Sequence, residues 1–446
     1  MLSRFGAFGF LKFASIFLLL LAIVAGGTEL PYYDELYAVP PKDGKAGVPR
    51  SQYENIMKVY EKISDEEKRR FEEGAARDLK NDNNVALLPK LLSKAESDLI
   101  DKGTKQRAEA LHAFLKDYYS GGDKWKKVIP EDVLKSILTR TGMDGLEKYV
   151  DPNAINFPYA VDLVRDANGN WRPLEDNPGF YGGPGDIVRV RQSFERRAPE
   201  LAATVKALDD PMDFHKNLIA RIRKEIGEDG KIIFATQNYY TTNHENKRLE
   251  GIYEKLGVTI YDPLNNNGTA SGDVVKIEDD GLYLRKRGKK KQEKVDFVIL
   301  NLEPGDWDLK PKAFKDRSLI SIATENLNEL KEKSKPTKDD LDAIGKLEKA
   351  LSPHPLSGKI DGKRLANTLD ALNYAKVYDA RKPEGYLPNL WSAVRKGKVK
   401  TQHSLGVDFV GDKEFYVYVE DIIREYLNEE PIFKNVKTVP MAKKDK

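Results

Sequence analysis

The sequence predicts a mixed chain, part α+β and part α/β, and three patterns predict it. A long N-terminal stretch repeats apolar residues at helical spacing behind capping signals. A central stretch alternates around an Asn-Gly pair in the manner of a hairpin, and a strand–helix–strand follows it. With 446 residues the chain is long enough for two or three domains with real cores.

Residues 1–26 read as a signal peptide. Arg4 and Lys12 precede the apolar run Phe13 to Ala25, and the small residues Gly26 and Gly27 follow. The run is short for a bilayer span, which needs about 20 residues. The expectation is an exported, periplasmic or secreted chain, touching a membrane only if the segment is retained as an anchor.

Residues 32–150 read as mostly helical. "SDEEKRRFEEGAARDL" opens with Ser64 followed three residues later by Glu67, a capping box. "TKQRAEALHAFLKDYY" places Leu111, Phe114, Leu115 and Tyr118 on one stripe, a face for a core. Residues 151–210 hold the hairpin and the helix "SFERRAPEL" behind a glycine-rich loop. Residues 211–310 read as a Rossmann-like α/β domain: the strand "KIIFATQ", a helix capped by Thr242 and Glu245 and closed by Gly257, then the strand "VTIYDP". Its first turn has no GxGxxG, so dinucleotide binding is not implied. The basic run Arg285 to Lys294 reads as a solvated turn between the strands "GLYLR" and "VDFVIL". Residues 311–446 read as a helical, Lys-rich C-terminal region with a joint at "KEKSKPTKDD".

Composition removes several function classes. Lys and Arg number 74 against 71 Asp and Glu, a net of +3, so no nucleic-acid partner is implied. The absence of cysteine excludes disulfides, thiolate catalysis and Cys-type zinc sites, and the five histidines show no metal-ligand spacing.

The stretch that carries chemistry is "AVDLVRDANGNWRPLEDN", Ala160 to Asn177. A two-residue turn at Asn168-Gly169 would set Asp162 opposite Glu175, with Asn177 on the same face. Like charges directly opposite on a sheet repel. Two carboxylates and an amide on one face suit Mg²⁺ or Mn²⁺. The other reading, also open, is an exposed polar face on which one carboxyl titrates upward. The register matters, because a three-residue loop would place Asp176 opposite Asp162 instead.

An acidic residue followed by Glu-x-Asn at the end of the next strand, then Pro-Gly, resembles the metal-binding end of an ATP-grasp ligase. The wider order of segments resembles the circularly permuted ATP-grasp proteins of type 2, related to the glutathionylspermidine-synthetase-like group. Those segments are "YDELYA", "TKQRAEALHAFLKDYY" with "VIPEDVL", the hairpin, "FERRAPEL", the α/β unit, and "GDKEFYVYVEDIIREYLNEEP". The resemblance implies a fold built as a partial circularly permuted ATP-grasp, with residues 151–210 as its metal-binding half and the Rossmann-like region as a pre-ATP-grasp domain. It implies joining of a carboxylate to an amine through an acyl-phosphate, with ATP and Mg²⁺. It also implies Asp162, Glu175 and Asn177 as metal ligands, Arg165 and Arg191 as catalytic cations beside phosphate, and Lys413 as a cofactor-binding lysine.

Three departures accompany the resemblance. Family members continue past "NVKT" into an ATP-cradling half, whereas this sequence stops at Lys446. "NPGFYGGPGD" replaces Asn-x-x-x-Pro-Ser-Gly, and Asn301-Leu302-Glu303 stands where arginines are usual. Two expectations follow: a degenerate exported protein that binds a peptide or amino-acid-derived ligand, or a ligase completed by a second polypeptide, with ATP used only in that case. Export and the early end of the chain place the first ahead.

Overall fold

Helices form where the capping signals stand. Ser64 and Glu67 bond reciprocally, the Glu67 amide donating to the Ser64 hydroxyl at 3.3 Å and the Ser64 amide to the Glu67 carboxylate at 3.0 Å. The computed structural model describes residues 32–79, 85–141, 143, 147–179, 182–205, 209–236, 244–262, 273–301, 319–333, 335–352, 368, 372, 387 and 389–439. The expected signal segment, the Thr242 cap, Leu302 and Glu303 lie outside them. No helix among the described residues is long and apolar enough to cross a membrane.

The small antiparallel pair β1 (Tyr37–Val39) and β2 (Val48–Pro49) precedes helices α1 (Glu54–Tyr60), α2 (Asp65–Leu79), α3 (Lys94–Tyr119) and α4 (Glu131–Arg140). Helix α3 begins at Lys94 rather than near Thr104, because Ser93 and Glu96 supply a second capping box upstream. Its buried face, Ala110, Leu111, Phe114 and Leu115, packs against Val419, Ile422 and Ile423 of α10 (Val419–Leu427) near the other end of the chain. That core brings together the N-terminal helices and the C-terminal segment, with Tyr159 of the hairpin packed against it.

The hairpin is β3 (Tyr159–Arg165) and β4 (Trp171–Pro178), followed by α5 (Pro184–Arg197) and α6 (Pro211–Ile226). A four-stranded parallel sheet comes next, in the order β11-β10-β5-β6: β11 (Lys400–Thr401), β10 (Phe297–Leu300), β5 (Ile232–Ala235) and β6 (Thr259–Tyr261). Helix α7 (His244–Lys255) makes the crossover from β5 to β6, so the expected strand–helix–strand is parallel as the sequence pattern requires. Every residue of β5 and β10 is buried, which is why they read as unbroken apolar runs.

The stretch "VDFVIL" is not one strand. Val295 ends β9 (Glu293–Val295) in the antiparallel sheet with β7 (Val274–Glu278) and β8 (Gly281–Arg285), and Phe297 starts β10 in the parallel one. Asp296 makes the transfer, its carboxylate accepting the Lys231 amide at 2.8 Å. The basic run turns between β8 and β9 as expected. Around the "KEKSKPTKDD" joint, α8 (Leu319–Lys331) and α9 (Lys338–Leu351) pack through Ala323, Leu327 and Leu347, and Thr337 caps α9.

Candidate functional site

The hairpin turn differs from the two-residue form. Asp166 donates its amide to Asn170 O at 2.9 Å, so three residues, Ala167 to Gly169, form the loop. The Asp166 carboxylate accepts the amides of Asn168 and Asn170, each at 2.9 Å, and Gly169 takes the left-handed φ of +83°. A turn closed by the Gly169 amide on the Asp166 carbonyl, with a left-handed residue at its end, is the form that three-residue hairpins favour. Alone it would pair Asp162 with Leu174, yet Leu163 pairs with Pro173 and Asp162 with Glu175. The extra residue is Leu174, a β-bulge that restores the expected pairing. Asp176 is therefore not opposite Asp162, as a three-residue loop had been expected to make it; it faces the other side.

The structure brings together four of the six residues singled out from the sequence. Asp162 stands opposite Glu175, and Asn177 Nδ2 donates to Asp162 Oδ1 at 3.4 Å. Lys413 Nζ lies 2.7 Å from Glu175 Oε2 and 3.4 Å from the carbonyl of the bulged Leu174. Lys413 is aimed there by its neighbours: Arg140 on α4 holds Asp412 at 2.8 Å and Glu414 at 3.0 Å. Partial burial and then the Glu175 charge raise the Asp162 pKa, while Lys413 opposes the rise.

The reverse of β4 is different in kind. Asp176 is buried and takes a two-pronged contact from Arg107, Nε to Oδ1 at 2.8 Å and Nη2 to Oδ2 at 2.6 Å. The Tyr159 hydroxyl also donates to Asp176, and Arg107 Nη1 reaches Asn435 Oδ1 at 2.9 Å. Burial works against the Arg107 charge, but Asp176 and Tyr159 outweigh it and hold the guanidinium above its ordinary pKa. This network fixes which way Glu175 and Asn177 point. Sequence reading missed it, because its partners lie 69 residues apart and carry no local signal.

The two arginines lie elsewhere. Arg165 points to the opposite face from Asp162, bound by Glu35 at 3.0 Å and by Glu96, and stacked 3.9 Å over the Trp171 ring. Strand alternation puts positions 162 and 165 on opposite faces. Arg191 on α5 lies 3.4 Å from the Asp209 carbonyl and 3.9 Å from Glu195.

The donor set fits a hard divalent cation: two carboxylates, and an amide whose oxygen is not used in the contact with Asp162. Among the described residues no group of three or more His, Cys, Asp or Glu could hold a metal ion. An ion on this face would thus take two protein carboxylates and complete its shell with other oxygens, the habit of Mg²⁺.

The chain is similar to an uncharacterized protein of Synechocystis sp., 23% identical over 432 residues, covering 91% of this chain and 70% of that protein. An uncharacterized protein of Mycobacterium tuberculosis (strain H37Rv) is 23% identical over 363 residues, 79% of this chain. The chain spans half the length of that mycobacterial relative. A putative glutamate–cysteine ligase of Frankia casuarinae is 28% identical over 186 residues, 40% of this chain and 21% of its own length. Residues 374–446 match the family described as "Circularly permuted ATP-grasp type 2". Residues 89–324, more than half of the chain and including the whole hairpin, match "A circularly permuted ATPgrasp"; the chain belongs to the circularly permuted ATP-grasp family.

Proposed function

We propose that this protein is an exported, ATP-grasp-like binding protein that takes up a peptide or amino-acid-derived ligand and has a cation-responsive hairpin. In this reading it is not a stand-alone ligase. The observation that carries it is the state of the acidic face. Lys413 already neutralises Glu175 from within the chain, and Arg165 is committed to Glu35 and Glu96 on the opposite side. Acyl-phosphate chemistry needs cations aimed at the developing charge, and of the two arginines expected to supply them Arg165 is turned away. Residues 151–210 serve in this reading as the metal-binding half of the ATP-grasp, and residues 211–310 as a Rossmann-like pre-ATP-grasp domain. The N-terminal apolar run supports export.

The second reading is an ATP-dependent carboxylate–amine ligase completed by a second polypeptide. The clustering of Asp162, Glu175 and Asn177 favours it, and the name of the Frankia relative points the same way. Titration of ATP·Mg²⁺ separates the two. The binding-protein reading expects at best a millimolar constant, since among the described residues no arginine faces the phosphates from the acidic face; a roughly thousandfold loss from a micromolar site corresponds to about 4 kcal/mol. A low-micromolar constant that Asp162→Asn abolishes restores the ligase.

A further inference from the structure

In the parallel sheet, β5 is followed by a crossover to β6 on one side, and β10 pairs with β11 on the other. The point where connections leave in opposite directions opens a crevice at the carboxyl ends of the strands, the place where ligands bind in open α/β sheets. A cavity of about 430 Å³ lies there, within the range of small-molecule sites. Phe234 of β5 and Ile299, Leu300 and Asn301 at the end of β10 line it, with Tyr253 of α7 and Leu218 of α6. Tyr159 and Gly179, at the open end of the hairpin, complete the wall. Tyr159 is three strand residues from Asp162, roughly 10 Å along β3.

The chemistry of the lining is one-sided. Most of it is apolar or aromatic, with the amides Asn217, Asn301 and Gln402 and, among the described residues, one cation, Arg221. No acid lines it. Gln402 is used up on the backbone of Leu300, accepting its amide at 2.7 Å and donating to its carbonyl at 2.6 Å. Asn301 donates to Asn246 at 2.7 Å. Arg221 makes no ion pair or hydrogen bond among the described residues, whereas Lys216 on the same helix pairs with Asp210 and Asp213.

From this we infer that the cavity binds a small amphipathic carboxylate, an amino-acid derivative with an apolar side chain and a free carboxyl group. The carboxylate pairs with Arg221 in the two-pronged geometry a guanidinium offers. The apolar group lies against Phe234, Ile299 and Tyr253. The inference names the ligand class of the binding reading above and rests on it only for the expectation that such a ligand exists.

Calorimetric titration of the purified chain with N-acetyl-phenylalanine, N-acetyl-leucine and N-acetyl-phenylalaninamide tests it. Both acids should bind, and the amide, which keeps the apolar group and lacks the charge, should bind roughly tenfold more weakly. Arg221→Gln, at an exposed position, should bring the acids down to the level of the amide and leave the amide unchanged. Asn217→Trp, which fills the cavity mouth, should weaken all three. Equal affinity for acid and amide, an Arg221→Gln chain that binds the acids as before, or no heat from either acid up to about 10 mM overturns the inference. The Mn²⁺-induced shift in melting temperature, read on the same samples, reports on the hairpin alone. Acid binding without that shift keeps the cavity and sinks the cation-responsive hairpin, and the reverse result does the opposite.

Discussion

The two faces of strand β4 carry acids next to each other in sequence and opposite in physical character. Glu175 looks out, a quarter exposed, and meets a lysine that is itself more than half exposed. Asp176 looks in, and it and Arg107 are almost wholly out of solvent. The outward pair is held by the weak attraction that water and salt leave between surface charges. The inward pair stands where an unpartnered charge is very costly. A face that must exchange partners needs the first arrangement, and a scaffold that must not move needs the second. The hairpin has both, back to back, and this is the sense in which the buried network serves the candidate site.

The largest effect should come from the inner face. Asp176→Asn removes the countercharge of a fully buried guanidinium and should cost about 3–5 kcal/mol of stability, read as a lowered urea midpoint. Replacing Arg107 and Asp176 together by Met and Leu should cost less than the sum of the single changes, since no buried charge is then left alone. A Asp176→Asn chain that unfolds at the parental midpoint would mean that the two faces do not differ as described. Tyr159→Phe is the smaller cut on the same face. Arg107 still satisfies Asp176, and the expected loss is about 1–2 kcal/mol.

How much of this was legible depended on whether the determinant was local. The capping box at Ser64, the strand–helix–strand from Lys231 onward and the Asp162–Glu175 pairing all follow from patterns within a few residues. The pairing came out as expected although the turn did not: a three-residue loop shifted the register and the bulge at Leu174 shifted it back. Neither device is readable from "ANGN" alone, because Asp166 makes the turn with its side chain and Leu174 is an ordinary residue in an odd place. The split of "VDFVIL" at Asp296 was hidden because both halves are apolar and differ only in the sheet they join. Arg165 was expected beside the acidic face. Strand parity places it on the other side, and its partners Glu35 and Glu96 come from distant segments.

On the outer face the effects are smaller and run the other way. The Asp162 pKa lies above its ordinary 3.8, so its charged form fits the fold less well than it fits the unfolded chain. This contribution therefore costs stability at neutral pH, and the cost disappears as pH falls through the raised value toward 3.8. Asp162→Asn should accordingly stabilise the metal-free protein at pH 7 by a few tenths of a kcal/mol, discounted because the side chain is exposed. The gain should vanish near pH 4, and with it any Mg²⁺- or Mn²⁺-dependent shift in melting temperature. Asp78 and Glu96, whose values are lowered by their partners, add a pH dependence of their own as pH falls, so the readout is the difference between parent and variant across pH. A variant less stable than the parent at pH 7, or one that still responds to Mn²⁺ as the parent does, would show that the outer face is not a strained acidic pair.

The smallest effect separates two roles for Lys413. Its ammonium group sits 2.7 Å from Glu175, where it does for one carboxylate what a divalent cation would do for both. If lysine and cation compete for Glu175, Lys413→Met removes the competitor, and Mn²⁺ should bind more tightly by up to about fivefold, the equivalent of a surface ion pair worth at most 1 kcal/mol. Added salt should shrink the difference, because it screens the lysine before it screens a bound divalent ion. If instead Lys413 orients Glu175 toward the cation, the same change should weaken binding, with no such dependence on salt. The sign of the change in Mn²⁺ affinity, measured at two ionic strengths, decides between a built-in counter-ion and a positioning lysine. It decides as well whether the outer face is free to exchange partners while the inner one stays fixed.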